Sequence, residues 1–152
     1  HVNMTNTMNT PIEAIEAYLP LEFEAYRLRS DSGGAGQYRG GCGIERIWTL
    51  TSSKATLSIM AERTKIPPWG LKGGKPGRTG EYILVRSNGE KVTLPSKVTI
   101  DISRGDKLII RTPGGGGYGD PSNRDIRKII QDIENGLVTK EGAKSDYGVI
   151  LI

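Results

Sequence analysis

Tyr82-Ile83-Leu84-Val85-Arg86-Ser87-Asn88-Gly89-Glu90-Lys91-Val92-Thr93-Leu94 reads as two strands folded back on each other. Tyr82 to Arg86 and Lys91 to Leu94 are apolar and β-branched runs, and Asn88-Gly89 between them is the pair that accepts the left-handed backbone of a tight hairpin. The pattern continues on both sides. Val98, Ile100 and Ile102 alternate into a turn at Arg104-Gly105-Asp106, and Leu108 to Arg111 follows. Upstream, Ala55, Leu57, Ile59 and Ala61 point one way while Thr56, Ser58 and Glu62 point the other. Ile44 to Leu50 is a further strand, and Leu21 to Arg29 alternates with a phase slip at Ala25-Tyr26 that a bulge would explain. Six or seven strands joined by turns predict a largely antiparallel, β-rich body.

Helical signals bracket that body. Thr10-Pro11-Ile12-Glu13 has the form of a capping box, with Thr10 as the cap, Pro11 at the first helical position and Glu13 closing it. Ile12, Ile15 and Leu19 form its apolar stripe, and Pro20 ends it. Near the other end, Ser122 is placed to cap a helix whose Ile126, Ile129, Ile130 and Ile133 recur at helical spacing, with Gly136 as its terminating glycine. A shorter helix is expected from Thr139 to Tyr147, before Gly148. Val149 to Ile152 are all apolar and are expected to pack against this domain or a partner. The fold class is therefore α+β. Residues 1–20 form an N-terminal segment and capped helix, 21–120 the β-rich domain with glycine-rich loops, and 121–152 a helical tail.

The chain has 152 residues, 36% hydrophobic and 25% charged, enough for one domain with a real core. No apolar run is long enough for a membrane-spanning helix, and no charged-then-apolar leader opens the sequence. Beginning at His1 without a methionine, it reads as a split product or as a chain continuing from an absent upstream domain. The single cysteine, Cys42, leaves no internal disulfide and fits a reducing cytoplasm. It reads first as a small filler among glycines, since no histidine lies near it. A net charge of +4 comes largely from the stretch Arg63, Lys65, Lys72, Lys75 and Arg78. Trp48 and Trp69 are too few and too scattered to make that stretch a nucleic-acid platform.

Most of the 21 glycines fall in three runs, Gly33 to Gly43, Gly70 to Gly80 and Gly114 to Gly119, separated by strands. They are therefore expected to shape ordered loops rather than flexible linkers. Thr112 to Asp120 follows a strand and precedes a helix, the placement of a phosphate-binding loop. It lacks the Gly-Lys-Ser/Thr ending, however, and carries Asp120 where an anion would be repelled. The alternative is a tight backbone crossing with no room for a Cβ. Arg63, at a strand end beside a glycine loop, is a candidate for holding a carboxylate or carbonyl oxygen. A structural ion pair with Glu62 or another strand's acid explains it equally well. His1 is the only histidine, so neither a Ser-His-Asp triad nor an ordinary histidine–carboxylate metal site can be assembled from these residues.

Four of these segments, in order, resemble one family. His1-Val2-Asn3-Met4-Thr5-Asn6-Thr7 with Asn9-Thr10-Pro11-Ile12-Glu13 is the first. Asp31-Ser32-Gly33-Gly34-Ala35-Gly36-Gln37-Tyr38-Arg39-Gly40-Gly41, continued by Gly43 and Arg46, is the second. Glu62-Arg63 with Pro67-Pro68-Trp69-Gly70 and Gly73-Gly74 is the third, and Thr112 to Pro121 is the fourth. The tail from Gly136-Leu137-Val138 to Tyr147-Gly148-Val149 fits as well. The chain is similar to the C-terminal portion of hydantoinase B/5-oxoprolinase proteins, relatives of acetone and acetophenone carboxylases. The resemblance implies part of an ATP-dependent cyclic amide hydrolase, inactive alone. An A-type partner would bind ATP with Mg and phosphorylate the substrate carbonyl, and the rest of the B-type component would hold a divalent metal upstream. No cofactor or metal is expected on this chain itself. Its implied partners are that hydantoinase A-type ATP-binding component, the remaining B-type component and a small cyclic amide or ketone, with no nucleic acid and no membrane. A ketone carboxylase of the same family and a non-catalytic assembly module are the alternatives. His1, Asn6 and Arg63 match family motifs and are the candidate site residues.

Overall fold

The computed structural model describes residues 9–150. Within them the chain forms helix α1 (Ile12–Tyr18) and strands β1 (Leu21–Leu28), β2 (Ile44–Leu50), β3 (Lys54–Met60), β4 (Glu81–Val85), β5 (Lys91–Thr93), β6 (Lys97–Ser103) and β7 (Lys107–Arg111). A 3-10 turn (Pro121–Asn123) and helices α2 (Ile126–Glu134) and α3 (Lys140–Tyr147) complete it. All strand pairs are antiparallel, in a five-stranded sheet ordered β1-β2-β7-β4-β5 and a two-stranded ribbon of β3 and β6. The fold is α+β, as the sequence pattern predicts.

The ribbon lies across one face of the sheet. Leu50, Leu84 and Leu108 from the sheet meet Ile59 and Ile102 from the ribbon, with Leu94 joining them, and all six are buried. Trp48, Tyr82 and Ile110 extend that face. Each large apolar side chain removed from water contributes about 1.5–3 kcal/mol, so this layer is the principal stabilising element. Along β3 and β6 the outward residues, apart from Met60 at the end of β3, are polar and exposed, among them Thr56, Ser58, Thr99 and Asp101, which accounts for the alternation of these two strands.

Two turns beside the core share one carboxylate. The hairpin at Asn88-Gly89 closes with Gly89 at φ +88°, and the next turn places Gly105 at φ +84°. Asp106, 2% exposed, accepts from the Ser87 amide (2.9 Å), the Ser103 amide (3.0 Å) and the Arg86 guanidinium (2.8 Å). Burial alone would raise its pKa. The Ser103 amide, Arg86 and the Ser87 amide more than offset that and hold it below the ordinary carboxylate range.

Several local expectations need correction. Helix α1 begins after Pro11 with no side-chain cap, so Thr10 and Glu13 do not form a capping box. None of its residues is buried, and Leu19 is 51% exposed. A seven-residue helix resting on β1 has little to bury its stripe against. The β1 bulge falls between Phe23 and Ala25, not at Ala25-Tyr26. Asp125 rather than Ser122 caps α2 through the Arg127 amide, because Asp120 captures Ser122 in the preceding 3-10 turn. Gly136 and Gly148 both terminate helices at φ +69°, as expected. Of the apolar terminus, Val149 packs against Ile129, Val138 and Ala143 while Ile150 is exposed. Leu151 and Ile152 lie outside the described residues.

Candidate functional site

The strand order gathers the glycine-rich loops at one end of the sheet. Strands β2 and β4 begin there, and β1 and β7 end there. Residues 29–43, 61–80 and 112–119 therefore leave from a common edge, although they are far apart in sequence. They interlock through their backbones. Gly34 donates to Gly115, Lys75 to Ala35, Gly117 to Lys75, Gly115 to Gly41 and Leu71 to Gly117, at 2.7–2.9 Å. At most of these glycines the packing leaves no room for a side chain: a Cβ on Gly116 would overlap the Trp69 carbonyl, and one on Gly114 the Ser32 carbonyl.

That geometry decides between the two readings of the tetraglycine stretch. The amides of Gly114, Gly115, Gly117, Tyr118 and Gly119 all donate to backbone carbonyls. They are not available to cradle a phosphate, and the stretch is a backbone crossing.

The helical tail is tied to this bundle by charge. Asp132, 7% exposed, accepts from Arg39 (3.0 Å) and Arg124 (2.6 Å), joining the second glycine motif to α2. Asp31, at φ +54°, accepts from the Thr139 amide (2.8 Å) and hydroxyl (2.7 Å) at the start of α3. Cys42 sits inside the same junction, accepting from Arg39 at 3.3 Å, with its thiol 3.8 Å from the Leu137 carbonyl.

Several open clefts lie around the bundle. The first, about 450 Å³, is lined by Glu62, Arg63, Thr64, Lys65, Ile66 and Ser96. Arg63 stands there at φ +57°, its carbonyl accepting from the Gly80 amide, and its guanidinium lies 5.0 Å from the centre of the Trp69 ring. Stacking on an exposed indole positions the guanidinium without a carboxylate partner. No ion pair to Glu62 or any other acid forms among the described residues, and the Trp69 ring is the partner of the guanidinium there. His1 and Asn6 lie outside the described residues. The basic stretch is partly dispersed, because Lys75 pairs with Asp146 at 3.0 Å. Among the described residues no three His, Cys, Asp or Glu side chains could hold a metal ion, and no helix is long and apolar enough to cross a membrane.

The second cleft holds residues that the sequence did not single out. Across the sheet, Arg27 is opposite Glu45, Glu45 opposite Arg111, and Arg111 opposite Glu81. The result is a four-strand ladder of alternating charge, with contacts of 2.6, 2.6 and 2.7 Å. Glu45 is only 6% exposed, and Arg111, with help from Arg27, holds its pKa below the ordinary value against the effect of burial. Above the ladder, Arg29 donates to the carbonyls of Thr79 (2.7 Å) and Thr112 (3.3 Å). No local pattern announces such a ladder. It depends on β7 being inserted between β2 and β4, strands that are distant in sequence.

Residues 1–121 match the family model described as hydantoinase B/oxoprolinase. The chain belongs to this family. An uncharacterised protein of Methanocaldococcus jannaschii is 48% identical over 145 residues, covering 95% of this chain and 25% of that protein. The 5-oxoprolinase of Dictyostelium discoideum is 38% identical over 117 residues, covering 77% of this chain and 9% of that protein. The crystal structure of the ATP-dependent caprolactamase from Pseudomonas jessenii superposes with a TM-score of 0.86 at 30% identity, covering 95% of this chain and 26% of that one. The nucleotide-free structure of an acetone carboxylase shares the fold, with a TM-score of 0.80 at 23% identity and 94% and 23% coverage. This hydantoinase B/oxoprolinase chain thus spans about a quarter or less of the length of the relatives it matches.

Proposed function

We propose that this chain acts as the C-terminal part of the B-type component of an ATP-dependent cyclic amide hydrolase of the hydantoinase/5-oxoprolinase type. The observation that carries the reading is the agreement of nearly the whole chain with the caprolactamase structure, at a TM-score of 0.86 and 30% identity. In the proposed reaction an A-type partner transfers the terminal phosphoryl group of ATP to the amide carbonyl oxygen. Water then adds to the activated carbon, the ring C–N bond breaks, and phosphate leaves. ATP with Mg would reside on the partner, and a divalent metal in the remainder of the B-type component; no metal-dependent step is assigned to residues described here. This chain would shape the site and hold its partners. Arg63 is the described residue best placed to hold a substrate oxygen, because its guanidinium lines an open cleft with no acid paired to it. His1 and Asn6 remain motif-based candidates.

The test is reconstitution. Combined with an A-type partner and the remainder of the B-type component, the chain is expected to support ATP-dependent opening of hydantoin, 5-oxoproline or caprolactam, and to be inactive alone. Turnover by the purified chain with ATP alone would refute the dependence. The shared fold of the acetone carboxylase supports the second reading, an ATP-dependent ketone carboxylase. Bicarbonate-dependent consumption of ATP with acetone, and none with the cyclic amides, would decide for it. A complex equally active without this chain would leave it as an assembly module.

A further inference from the structure

The charges in the second cleft do not cancel. Arg27, Glu45, Arg111 and Glu81 form a closed ladder in which both oxygens of Glu45, and one of Glu81, engage guanidinium groups. That set is neutral. Two further arginines line the same cleft of about 510 Å³, Arg29 and Arg78, and neither pairs with a carboxylate among the described residues. The excess is two positive charges.

Arg29 is held through its side chain and Arg78 through its main chain alone. Arg29 uses Nη1 to reach the Thr79 and Thr112 carbonyls, and its Nε and Nη2 make no hydrogen bond among the described residues. Arg78 is set in the glycine bundle, its amide donating to Ser32 (2.8 Å) and its carbonyl accepting from Gly114 (3.1 Å), and the residue is exposed at the cleft. Burial pushes the Arg29 pKa below the ordinary arginine value, with Arg111 and Arg78 adding to the effect and Glu81 and Glu45 opposing it. A half-desolvated guanidinium with unused N–H groups, next to a second cation, is an arrangement that a bound oxyanion would stabilise. The volume is in the range of small-molecule clefts.

We propose that the cleft between Arg29 and Arg78 binds a doubly charged oxyanion, either a phosphate group or a small dicarboxylate. The ligand bridges the two guanidinium groups and is screened from Glu45 and Glu81 by their ladder partners. Arg63 does not line this cleft, although a further cleft of about 410 Å³, lined by Arg29 and Glu81 on one side and Thr64 and Lys65 on the other, adjoins both. The proposal is independent of the proposed amide hydrolysis.

The experiment uses the chain alone, without ATP or amide, so its failure would leave the proposed function untouched. Guanidinium N–H resonances are followed during titration with inorganic phosphate, succinate or acetate, with ionic strength held constant by NaCl. The pH is kept above the second ionisation of inorganic phosphate, which lies higher than that of a phosphate ester, so that the dianion predominates. Saturable shifts of Arg29 with phosphate or succinate are expected, with acetate weaker by about tenfold or more, as loss of one charge-assisted contact implies. Which dianion is tighter identifies the ligand class. Arg78→Ala, a change at an exposed side chain, should weaken the dianion by about tenfold or more. Arg29→Lys should weaken it too, despite keeping the charge, whereas Lys97→Ala on the distant ribbon should not. Linear, unsaturable shifts with both dianions would overturn the proposal, leaving an acidic side chain of another polypeptide as the counter-charge. Equal losses in Arg78→Ala and Lys97→Ala, or no loss in Arg78→Ala, would overturn it as well.

Discussion

Replacing Asp106 by asparagine tests whether one buried carboxylate holds the two turns beside the core. The change keeps the shape and removes the charge. Asp106 faces three donors, the Ser87 and Ser103 amides and the Arg86 guanidinium. Either orientation of an amide group therefore turns its NH2 toward at least one of them. The better orientation keeps the oxygen on Ser103 and Arg86, orphans the Ser87 amide, and leaves the Arg86 guanidinium facing a neutral acceptor instead of a carboxylate. An orphaned buried donor costs about 1–3 kcal/mol and loss of charge assistance about 1 kcal/mol, so ~2–4 kcal/mol in all. Urea denaturation, followed by fluorescence of Trp48 in the core, should show a midpoint lower by about 1–2 M for a slope near 2 kcal/mol/M. Asp101→Asn, on the exposed strand face, should leave the midpoint where it is. The folded pKa of Asp106 is depressed, so its contribution is present above the unfolded value of about 3.9 and is lost as pH falls through the folded value. The mutant should therefore lose less stability than the parent on acidification below about pH 4. An Asp106→Asn midpoint inside the scatter of Asp101→Asn would refute the reasoning.

Other perturbations discriminate between elements. Gly116→Ala should prevent the bundle from closing and leave the protein aggregated or destabilised by more than ~3 kcal/mol, as overpacking against backbone implies. Gly41→Ala, where an added Cβ meets nothing, should change thermal stability by less than about 0.5 kcal/mol. Asp132→Ala leaves Arg39 and Arg124 buried and unpaired, costing about 3–5 kcal/mol; limited proteolysis should then cut within 121–152 before the sheet, and simultaneous loss of both would argue against a separately tethered tail. Arg63→Gly removes a side chain from a left-handed backbone position, so stability should hold or rise by up to about 1 kcal/mol. Activity of the reconstituted enzyme should fall about tenfold or more, as expected for a lost charged contact; unchanged turnover would take Arg63 out of the site.

The strands were legible because each carries its own evidence. Ala55 to Ala61 alternates since one side faces the core and the other water, and Asn88-Gly89 announces its turn by backbone preference alone. The helix caps were less legible. Ser122 and Asp125 are both good caps, and only the capture of Ser122 by Asp120 settles which one serves α2. Arg63 was visible through its motif, but not its stacking on Trp69. The ladder and Arg29 were invisible, because each contact joins residues brought side by side by strand order. A local pattern reports on neighbours in the chain, and these are neighbours only across the sheet.

The glycine bundle has a calorimetric consequence. It buries peptide groups against peptide groups, and Ala35 is the one apolar side chain fully buried in it among the described residues, since Tyr38, Ile66, Trp69, Leu71 and Tyr118 stay exposed. Exposing apolar surface raises the heat capacity of unfolding, whereas exposing peptide surface lowers it. The bundle should therefore subtract from the heat-capacity increment supplied by the leucine and isoleucine layer. Its share of the stability curve should be flatter with temperature than that of a side-chain core of the same size. The loop end of this protein should resist cold better than its sheet does.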